Sequence, residues 1–272
     1  MGIQLEHVSL VHANGVQAVN DVSCVIKAGE RVAIIGPSGA GKTTLLRLCS
    51  TALKPSSGTI KVLGADPWRL GRSALRRLRS RIGMVHQAPP LPARQRAVTA
   101  VLAGRLGQWS LWKSLASLAY PMDIPGARNV LARMEMDDKV FERCGVLSGG
   151  QLQRVGVARV LYQEPDLIMT DEPVSAMDPA LSDRIIGELT REATTRGVTL
   201  VASLHAVDLA LHWFPRIIGI RSGEIAFDLP PVRVSDNLLS DLYASESIVV
   251  PTQNNQPVAL PAAGIRRKPL CS

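Results

Sequence analysis

The sequence predicts an α/β fold with a mixed β core, an N-terminal antiparallel β subdomain and an inserted helical subdomain. Three short apolar runs, "RVAII" (31–35), "LIMT" (167–170) and "TLVASL" (199–204), are typical of buried parallel strands. Helical patterns follow the first run and separate the other two, and strands that alternate with helices build a parallel sheet. The second of these helices has a capped start at Asp178-Pro179 and a stop at Gly197.

Residues 3–35, apart from the buried run at 31–35, predict antiparallel strands joined by tight turns. Apolar and polar positions alternate in "IQLEHVSLV" and "AVNDVSCVI", and Asn14-Gly15 between them is a tight-turn signal. A second hairpin is predicted in "IIGIRSGEIAFDL", with its turn at Ser222-Gly223.

Residues 88–147 contain no comparable strand pattern. They begin as a proline-rich loop, and "VTAVLAGRL", "SLWKSLASL" and "ARNVLARMEM" then have helical spacing. We therefore expect one domain over residues 1–250, with a helical insertion at about 88–160. Segment 251–272 is rich in proline and amide side chains, which predicts a loosely ordered tail.

Composition argues against several classes of protein. No apolar run reaches about 18 residues, so no membrane-spanning helix is expected, and the start lacks the pattern of a signal peptide. The four cysteines have no CxxC spacing, which is typical of reduced thiols. The net charge is +8, and six arginines between Arg69 and Arg81 contribute much of it. This stretch is either a solvated helix face or a surface for nucleic acid or anionic lipid.

The stretch "GPSGAGKTT" carries the strongest single motif. A glycine, four residues and then Gly-Lys-Thr form the phosphate-loop pattern, in the strand-to-helix context that this motif requires. The glycines let backbone amides wrap a β-phosphate, Lys42 can bridge β- and γ-oxygens, and Thr43 can bind Mg²⁺. The predicted nucleotide-binding residues of this loop are Gly36, Pro37, Ser38, Gly39, Ala40, Gly41, Lys42, Thr43 and Thr44.

Two acidic residues follow the second buried run, in "DLIMTDE". Asp171 can hold Mg²⁺ through water beside Thr43, and Glu172 can orient or deprotonate an attacking water. Alone, two acids after a strand would predict only a helix cap. Beside a phosphate loop they predict hydrolysis, because a nucleotide switch needs only the first acid.

A second glycine pair opens a second helix at "LSGGQLQRVGVAR" (147–159). Ser148, Gly149 and Gly150 precede Gln151 and a run of apolar positions at helical spacing. A helix start with exposed amides and a serine hydroxyl is a phosphate site, although an ordinary serine N-cap has the same local pattern.

Taken together, these motifs resemble the ATP-binding cassette (ABC) ATPase family over roughly residues 3–228. The resemblance implies the phosphate-loop NTPase fold of that cassette and ATP hydrolysis with Mg²⁺. It also implies a homodimer in which two cassettes pack head to tail. Each ATP then lies between the Lys42 loop of one chain and the Ser148 loop of the other.

Three further residues match family motifs. The resemblance implies that Gln87 in "GMVHQAP" approaches Mg²⁺ and reports on a membrane partner, that Asp178 in "SAMD" lies near the dimer seam, and that His205 contacts the γ-phosphate. The expected catalytic residues are therefore Glu172, His205 and Gln87, and the expected Mg²⁺ ligands are Thr43, Gln87 and Asp171.

One position departs from the family pattern. These ATPases usually carry an aromatic residue that stacks on adenine, and the stretch "HANG" places His12 there. An imidazole has a smaller stacking face, so we expect His12 to contribute less to ATP affinity.

A finer resemblance, in "VLAGRLG", "SLWKSL" and "DEPVSAMDP", is to the phosphonate-import branch of the family. It implies an ATP-hydrolysing subunit that is peripheral at the cytoplasmic face of the inner membrane. The implied partners are two permease subunits and an extracytoplasmic solute-binding protein, with no nucleic acid. Trp109 and Trp112 either approach grooves that receive a membrane partner or pack in the core.

Two alternatives stay open. Phosphate, phosphite or amino acids are other possible solutes, because the cassette does not touch the solute and the assignment rests on analogy. A soluble ABC ATPase acting on nucleic acid would use the arginine-rich stretch. That class usually has two cassettes per chain or a long coiled-coil insertion, and this sequence shows neither.

Overall fold

The computed structural model describes residues 2–110, 112, 114, 116, 117 and 121–244, and the predicted tail at 251–272 lies outside these residues. The strands, in chain order, are β1 (Ile3–Val11), β2 (Gln17–Ile26), β3 (Arg31–Ile35), β4 (Ser57–Val62), β5 (Ile82–Val85), β6 (Leu167–Asp171), β7 (Thr199–Ser203), β8 (Arg216–Arg221) and β9 (Glu224–Leu229). The α-helices are α1 (Lys42–Cys49), α2 (Arg72–Ser80), α3 (Ala97–Leu102), α4 (Ile124–Arg133), α5 (Gly149–Gln163), α6 (Pro179–Arg196), α7 (Val207–Trp213) and α8 (Asp236–Tyr243).

The strands form two sheets, and both confirm the predicted fold class. The larger sheet has the order β5-β6-β7-β3-β8-β9, in which only β9 runs antiparallel to its neighbour. The smaller sheet, β2-β1-β4, is antiparallel throughout. The β8–β9 turn lies at Ser222-Gly223, where φ is +51° and +82°. Two left-handed residues in succession are typical of a tight hairpin turn.

Both faces of the larger sheet are buried, and β3 shows this most clearly. Val32 and Ile34 pack with α1 and the antiparallel sheet in one apolar cluster. Ala33 and Ile35 point the other way, into a cluster shared with α5 and α6. Alternate side chains of a strand face opposite sides, so the apolar run "RVAII" is explained by burial on both faces.

The carboxyl ends of three neighbouring strands create the site. The order β6-β7-β3 places the ends of these parallel strands side by side at one edge of the sheet. The segments that follow them carry the phosphate loop, the Asp171–Glu172 pair and His205. Ligands of open α/β sheets bind at this edge.

A helical segment lies between β5 and β6. In it α3, α4 and α5 pack together, through buried residues such as Val101, Leu131 and Ala158. We propose that residues 88–160 are a subdomain inserted into the α/β core. Trp109 packs at the edge of the core cluster, whereas the Trp112 side chain is 81% exposed.

The arginine-rich stretch is not one continuous helix. A single 3₁₀ turn (Pro67–Arg69) comes first, and Gly71 has an extended backbone before α2 begins. Arg79 binds the Thr51 carbonyl at 2.8 Å, while the Arg72 and Arg76 side chains are exposed. Among the described residues, we find no helix with the length and apolar character that a membrane span requires.

Candidate active site

The phosphate loop connects β3 to α1 in a conformation that suits glycine. Gly41 has a φ of +105°, and a Cβ at this residue would lie 2.3 Å from the Ala18 carbonyl oxygen. No side chain caps the start of α1. The first amides of this helix therefore stay available to an anion, and the helix dipole favours negative charge there.

Lys42 lies beneath this loop. Its side chain is buried, and the ammonium donates hydrogen bonds to the carbonyl oxygens of Gly36 at 2.7 Å and Pro37 at 2.9 Å. These bonds hold a positive charge at the loop that was predicted to receive phosphate. A buried ammonium in such a loop is suited to interact with phosphate oxygens.

Asp171, at the end of β6, accepts hydrogen bonds from two hydroxyl groups. The hydroxyls of Thr43 and Ser203 each donate to its Oδ1, both at 2.9 Å. The structure therefore joins the phosphate loop to Asp171, and the role of Asp171 in holding Mg²⁺ stays a prediction. Ser203 was not predicted, because a serine at the end of an apolar run gives no signal of its own.

Glu172 has a strained backbone. Its φ is +47°, in the left-handed region that costs a non-glycine residue of order 1–3 kcal/mol. Its backbone amide donates to both the carbonyl and the hydroxyl oxygen of Ser203, each at 3.2 Å. Strain of this kind is common at functional sites.

Gln87 contacts Glu172 directly. Its Nε2 donates to Glu172 Oε2 at 2.8 Å, which connects the segment after β5 to the segment after β6. The neighbouring His86 is half-buried, and this burial lowers its pKa.

One open cavity of about 550 Å³ collects most of the predicted residues. It is lined by the following predicted side chains and backbone groups: His12, Ser38, Gly39, Ala40, Gly41, Lys42, Thr43, Thr44, Gln87, Glu172 and His205. Buried Asp171 contacts this set through Thr43, and Gly36 and Pro37 contact it through Lys42. Residues from five separate stretches of the sequence thus meet in one place.

The second glycine pair lies elsewhere. Ser148, Gly149, Gly150 and Gln151 are absent from the lining of this cavity. Ser148 caps α5 in a reciprocal capping box. Its hydroxyl accepts a hydrogen bond from the backbone N–H of Gln151 at 3.3 Å, and Gln151 Oε1 accepts one from the backbone N–H of Ser148 at 2.9 Å. The side chain of Ser148 is exposed, so it is free to meet a group from outside the chain.

Asp178 is also outside the cavity. It caps α6, where its carboxylate accepts from the Leu181 amide at 3.0 Å. The helix then runs from Pro179 to a left-handed Gly197, as the sequence predicted. The role of Asp178 at a dimer seam stays a prediction.

The donor atoms present suit Mg²⁺. Thr43 and Asp171 supply a hydroxyl and a carboxylate oxygen next to the phosphate loop, and the Gln87 amide lines the same cavity. Mg²⁺ prefers oxygen ligands and usually takes only one or two from protein, with water and substrate phosphate completing its coordination. These three residues therefore fit a metal that arrives with a nucleotide.

Comparison with known proteins agrees with this geometry. The family model described as "ABC transporter" matches residues 19–175. The chain is 61% identical to the phosphonates import ATP-binding protein PhnC 1 of Cupriavidus necator over 97% of this chain and 94% of that protein. It is 60% identical to PhnC 2 of Pseudomonas aeruginosa over 91% of this chain and 93% of that protein.

A solved structure of an ATP-binding cassette has a similar fold. The ATP-binding cassette MJ0796, in a dimeric post-hydrolysis state bound to ADP and Pi, aligns with a TM-score of 0.73 and 27% identity. The alignment covers 84% of this chain and 98% of that one. With its fold, its phosphate loop and nearly its whole length in common with these proteins, the chain belongs to the family of ABC transporter ATP-binding cassettes.

Proposed function

We propose that this protein is the ATP-hydrolysing subunit of an importer that carries phosphonates across the cytoplasmic membrane. The observation that carries this proposal is the 60–61% identity to phosphonate import ATP-binding proteins over nearly the whole chain. Phosphate, phosphite and amino acids are the alternative solutes.

The buried and hydrogen-bonded groups of the cavity suit ATP hydrolysis. Lys42 and the amides at the start of α1 would bind the β- and γ-phosphates, and Thr43, Asp171 and Gln87, which lie together at this cavity, would hold Mg²⁺. When bound, Mg²⁺ neutralises charge on the phosphate oxygens. Binding in this way orients the γ-phosphate toward the end of β6.

Glu172 is placed to act as the general base. Its carboxylate accepts a proton from water while the water oxygen attacks the γ-phosphorus. The bond from that phosphorus to the bridging oxygen breaks, so that ADP and phosphate are released. Gln87 holds the Glu172 carboxylate through its 2.8 Å hydrogen bond, and His205, which lines the same cavity, contacts the γ-phosphate.

The second phosphate site is completed by a second copy of the chain. Ser148 and the amides of Gly149 and Gly150 are exposed or half-exposed and lie outside the chain's own cavity. In a head-to-tail homodimer they close on the γ-phosphate held by the partner's Lys42 loop. Closure then moves the helical subdomain, and the Gln87 segment passes this movement to the membrane subunits.

The proposed assembly has two integral membrane permease subunits, two copies of this chain and an extracytoplasmic solute-binding protein. The chain itself is a peripheral subunit on the cytoplasmic face of the membrane. No nucleic acid takes part. Asp178, exposed at the start of α6, lies near the dimer seam in this arrangement.

Transport tests the proposed solute. In a bacterium that carries this gene, its deletion is expected to abolish growth with an alkylphosphonate as the sole phosphorus source, and growth on phosphate is expected to continue. The wild-type gene restores growth, and a gene encoding Glu172→Gln does not. Normal growth of the deletion strain on phosphonate, combined with loss of phosphite, phosphate or amino-acid uptake, would assign one of the alternative solutes.

His12→Tyr is expected to tighten ATP binding. His12 is exposed on the turn between β1 and β2, so the fold tolerates a larger ring, and it lines the nucleotide cavity. Aromatic stacking contributes about 0.5–1.5 kcal/mol, which corresponds to roughly a two- to tenfold decrease in Kd. Calorimetric titration with ATP measures this change, with His12→Ala as the matched variant that removes the ring. Equal affinities for all three proteins would show that another residue holds the base.

A further inference from the structure

Helix α5 packs between two loops that border the active site. Near its start, a Cβ on Gly150 would lie 2.7 Å from the carbonyl oxygen of Ala176, in the segment after Glu172. Further along the helix, a Cβ on Gly156 would lie 2.8 Å from the ring of Pro89, in the segment after Gln87. Glycines at these positions let the helix approach both loops closely.

Gln153 lies between these two glycines, in the part of α5 that packs between the two loops. Its side chain is 2% exposed. Its Nε2 donates to the carbonyl oxygen of Gln87 at 2.8 Å and to the hydroxyl of Ser175 at 2.9 Å. Its Oε1 accepts from the backbone amide of Ala176 at 3.2 Å. One buried amide therefore joins α5 to both loops.

The partners fix the orientation of this amide. A backbone carbonyl can only accept a hydrogen bond, so the Gln87 carbonyl requires the side-chain nitrogen of Gln153. A backbone N–H can only donate, so the Ala176 N–H requires the side-chain oxygen. Both hydrogens of the nitrogen are used. An apolar side chain at this position would remove all three of these partly buried hydrogen bonds.

Both loops that Gln153 joins contact Glu172 through hydrogen bonds. Gln87 donates to the Glu172 carboxylate at 2.8 Å. On the other side, the backbone amide of Ser175 approaches the Glu172 carbonyl oxygen at 3.4 Å. A displacement of Gln153 therefore reaches the Glu172 side chain and its backbone by two separate routes.

We propose that Gln153 is a positioning residue that couples the two nucleotide sites of the dimer. This inference rests on the proposed function, in which Ser148 of each chain meets the nucleotide held by the other. Gln153 is five residues along the same helix from Ser148, about 7.5 Å along its axis at a rise of about 1.5 Å per residue. When α5 moves on closing over the partner's nucleotide, Gln153 moves the Gln87 and Ser175–Ala176 segments of its own chain and so aligns its own Glu172.

The test is Gln153→Met, which keeps the length of the side chain and removes its hydrogen bonds. We expect kcat for ATP to fall by about ten- to a hundredfold, since small misplacements of reacting groups have effects of this size. The Kd for ATP should stay within about twofold, because the Lys42 loop is untouched. The fall in kcat at constant Kd is the readout that a loss of folding would not produce.

Gln163→Met is the matched control. Gln163 is on the same helix and also donates to two backbone carbonyls, those of Ser80 at 3.1 Å and Ile82 at 2.9 Å, but these lie away from Glu172. We expect this variant to lower Tm while kcat stays within about twofold of wild type. An equal fall in kcat for both variants would overturn the proposal.

Ser175→Ala decides the question if Gln153→Met does not fold. Ser175 is exposed, so its hydroxyl is removed at little cost in stability, and we expect kcat to fall about threefold at unchanged Kd. The double variant should then be no slower than Gln153→Met, because both changes break the same bond. Unchanged kcat in Ser175→Ala, or effects that multiply in the double variant, would contradict the coupling. If the wild-type protein hydrolyses ATP and Lys42→Ala does not, the proposed function stands whether or not the coupling by Gln153 is found.

Discussion

Glu172→Gln is expected to lower kcat for ATP hydrolysis by about a thousandfold, within the range that a general base contributes. The amide has the shape of the carboxylate, and its oxygen can still accept the hydrogen bond from Gln87. It cannot take a proton from the attacking water. Binding should be retained, because the proposed phosphate contacts come from Lys42 and the start of α1, which this change leaves intact.

The same variant is expected to accumulate as a closed dimer. With binding intact and hydrolysis blocked, nucleotide stays between the two chains, so size-exclusion chromatography with light scattering should show a dimer in Mg²⁺ and ATP. Glu142→Gln, at an exposed position away from the cavity, is the matched control and should behave as wild type. Turnover at the wild-type rate by Glu172→Gln would remove Glu172 from its role.

Lys42→Ala is expected to abolish ATP turnover by weakening both binding and the transition state. The buried ammonium is held on the loop by the carbonyls of Gly36 and Pro37, at the proposed phosphate site. Removing one preorganised charge or donor from a transition state costs on the order of a hundred- to a thousandfold in rate. A phosphate-release assay at saturating ATP and a nucleotide titration measure the two effects separately.

The control for this change is Lys54→Ala, which removes an exposed lysine from the connection between α1 and β4. It should leave the rate and the affinity unchanged. A thermal melt shows whether Lys42→Ala still folds, since the variant also deprives two loop carbonyls of their donor. A folded Lys42→Ala protein that binds and hydrolyses ATP normally would contradict the assignment of the loop.

Elements with strong local signals were predictable from the sequence. The strands β3, β6 and β7 are apolar runs buried on both faces, and α6 has its cap, its proline and its final glycine in the sequence. By contrast, β4 and β5 were not predicted. In β4 most positions are exposed, so its apolar residues are sparse, and β5 is only four residues long. Their pairing with β1 and β6 is decided by tertiary contacts.

The site shows a similar division. Motifs such as "GPSGAGKTT" and "DLIMTDE" predict their residues because the chemistry needs those types at that spacing, and the structure brings Thr43 and Asp171 within 2.9 Å. Ser203 and Gln153 were missed, because one is a small polar residue in a strand and the other a polar residue in a helix. Their partners are distant in sequence, so only the folded chain reveals them.

Complementation between two inactive variants tests most directly whether each ATP site is built from two chains. Lys42→Ala removes the function of the phosphate loop, and Ser148→Arg blocks α5 at its exposed start. A mixed dimer of these variants contains one site with both defects and one site with neither. The predicted result is that each variant alone is inactive and that an equal mixture recovers up to about a quarter of wild-type ATPase activity. Full activity of Ser148→Arg alone, or no recovery at any mixing ratio, would contradict the shared site.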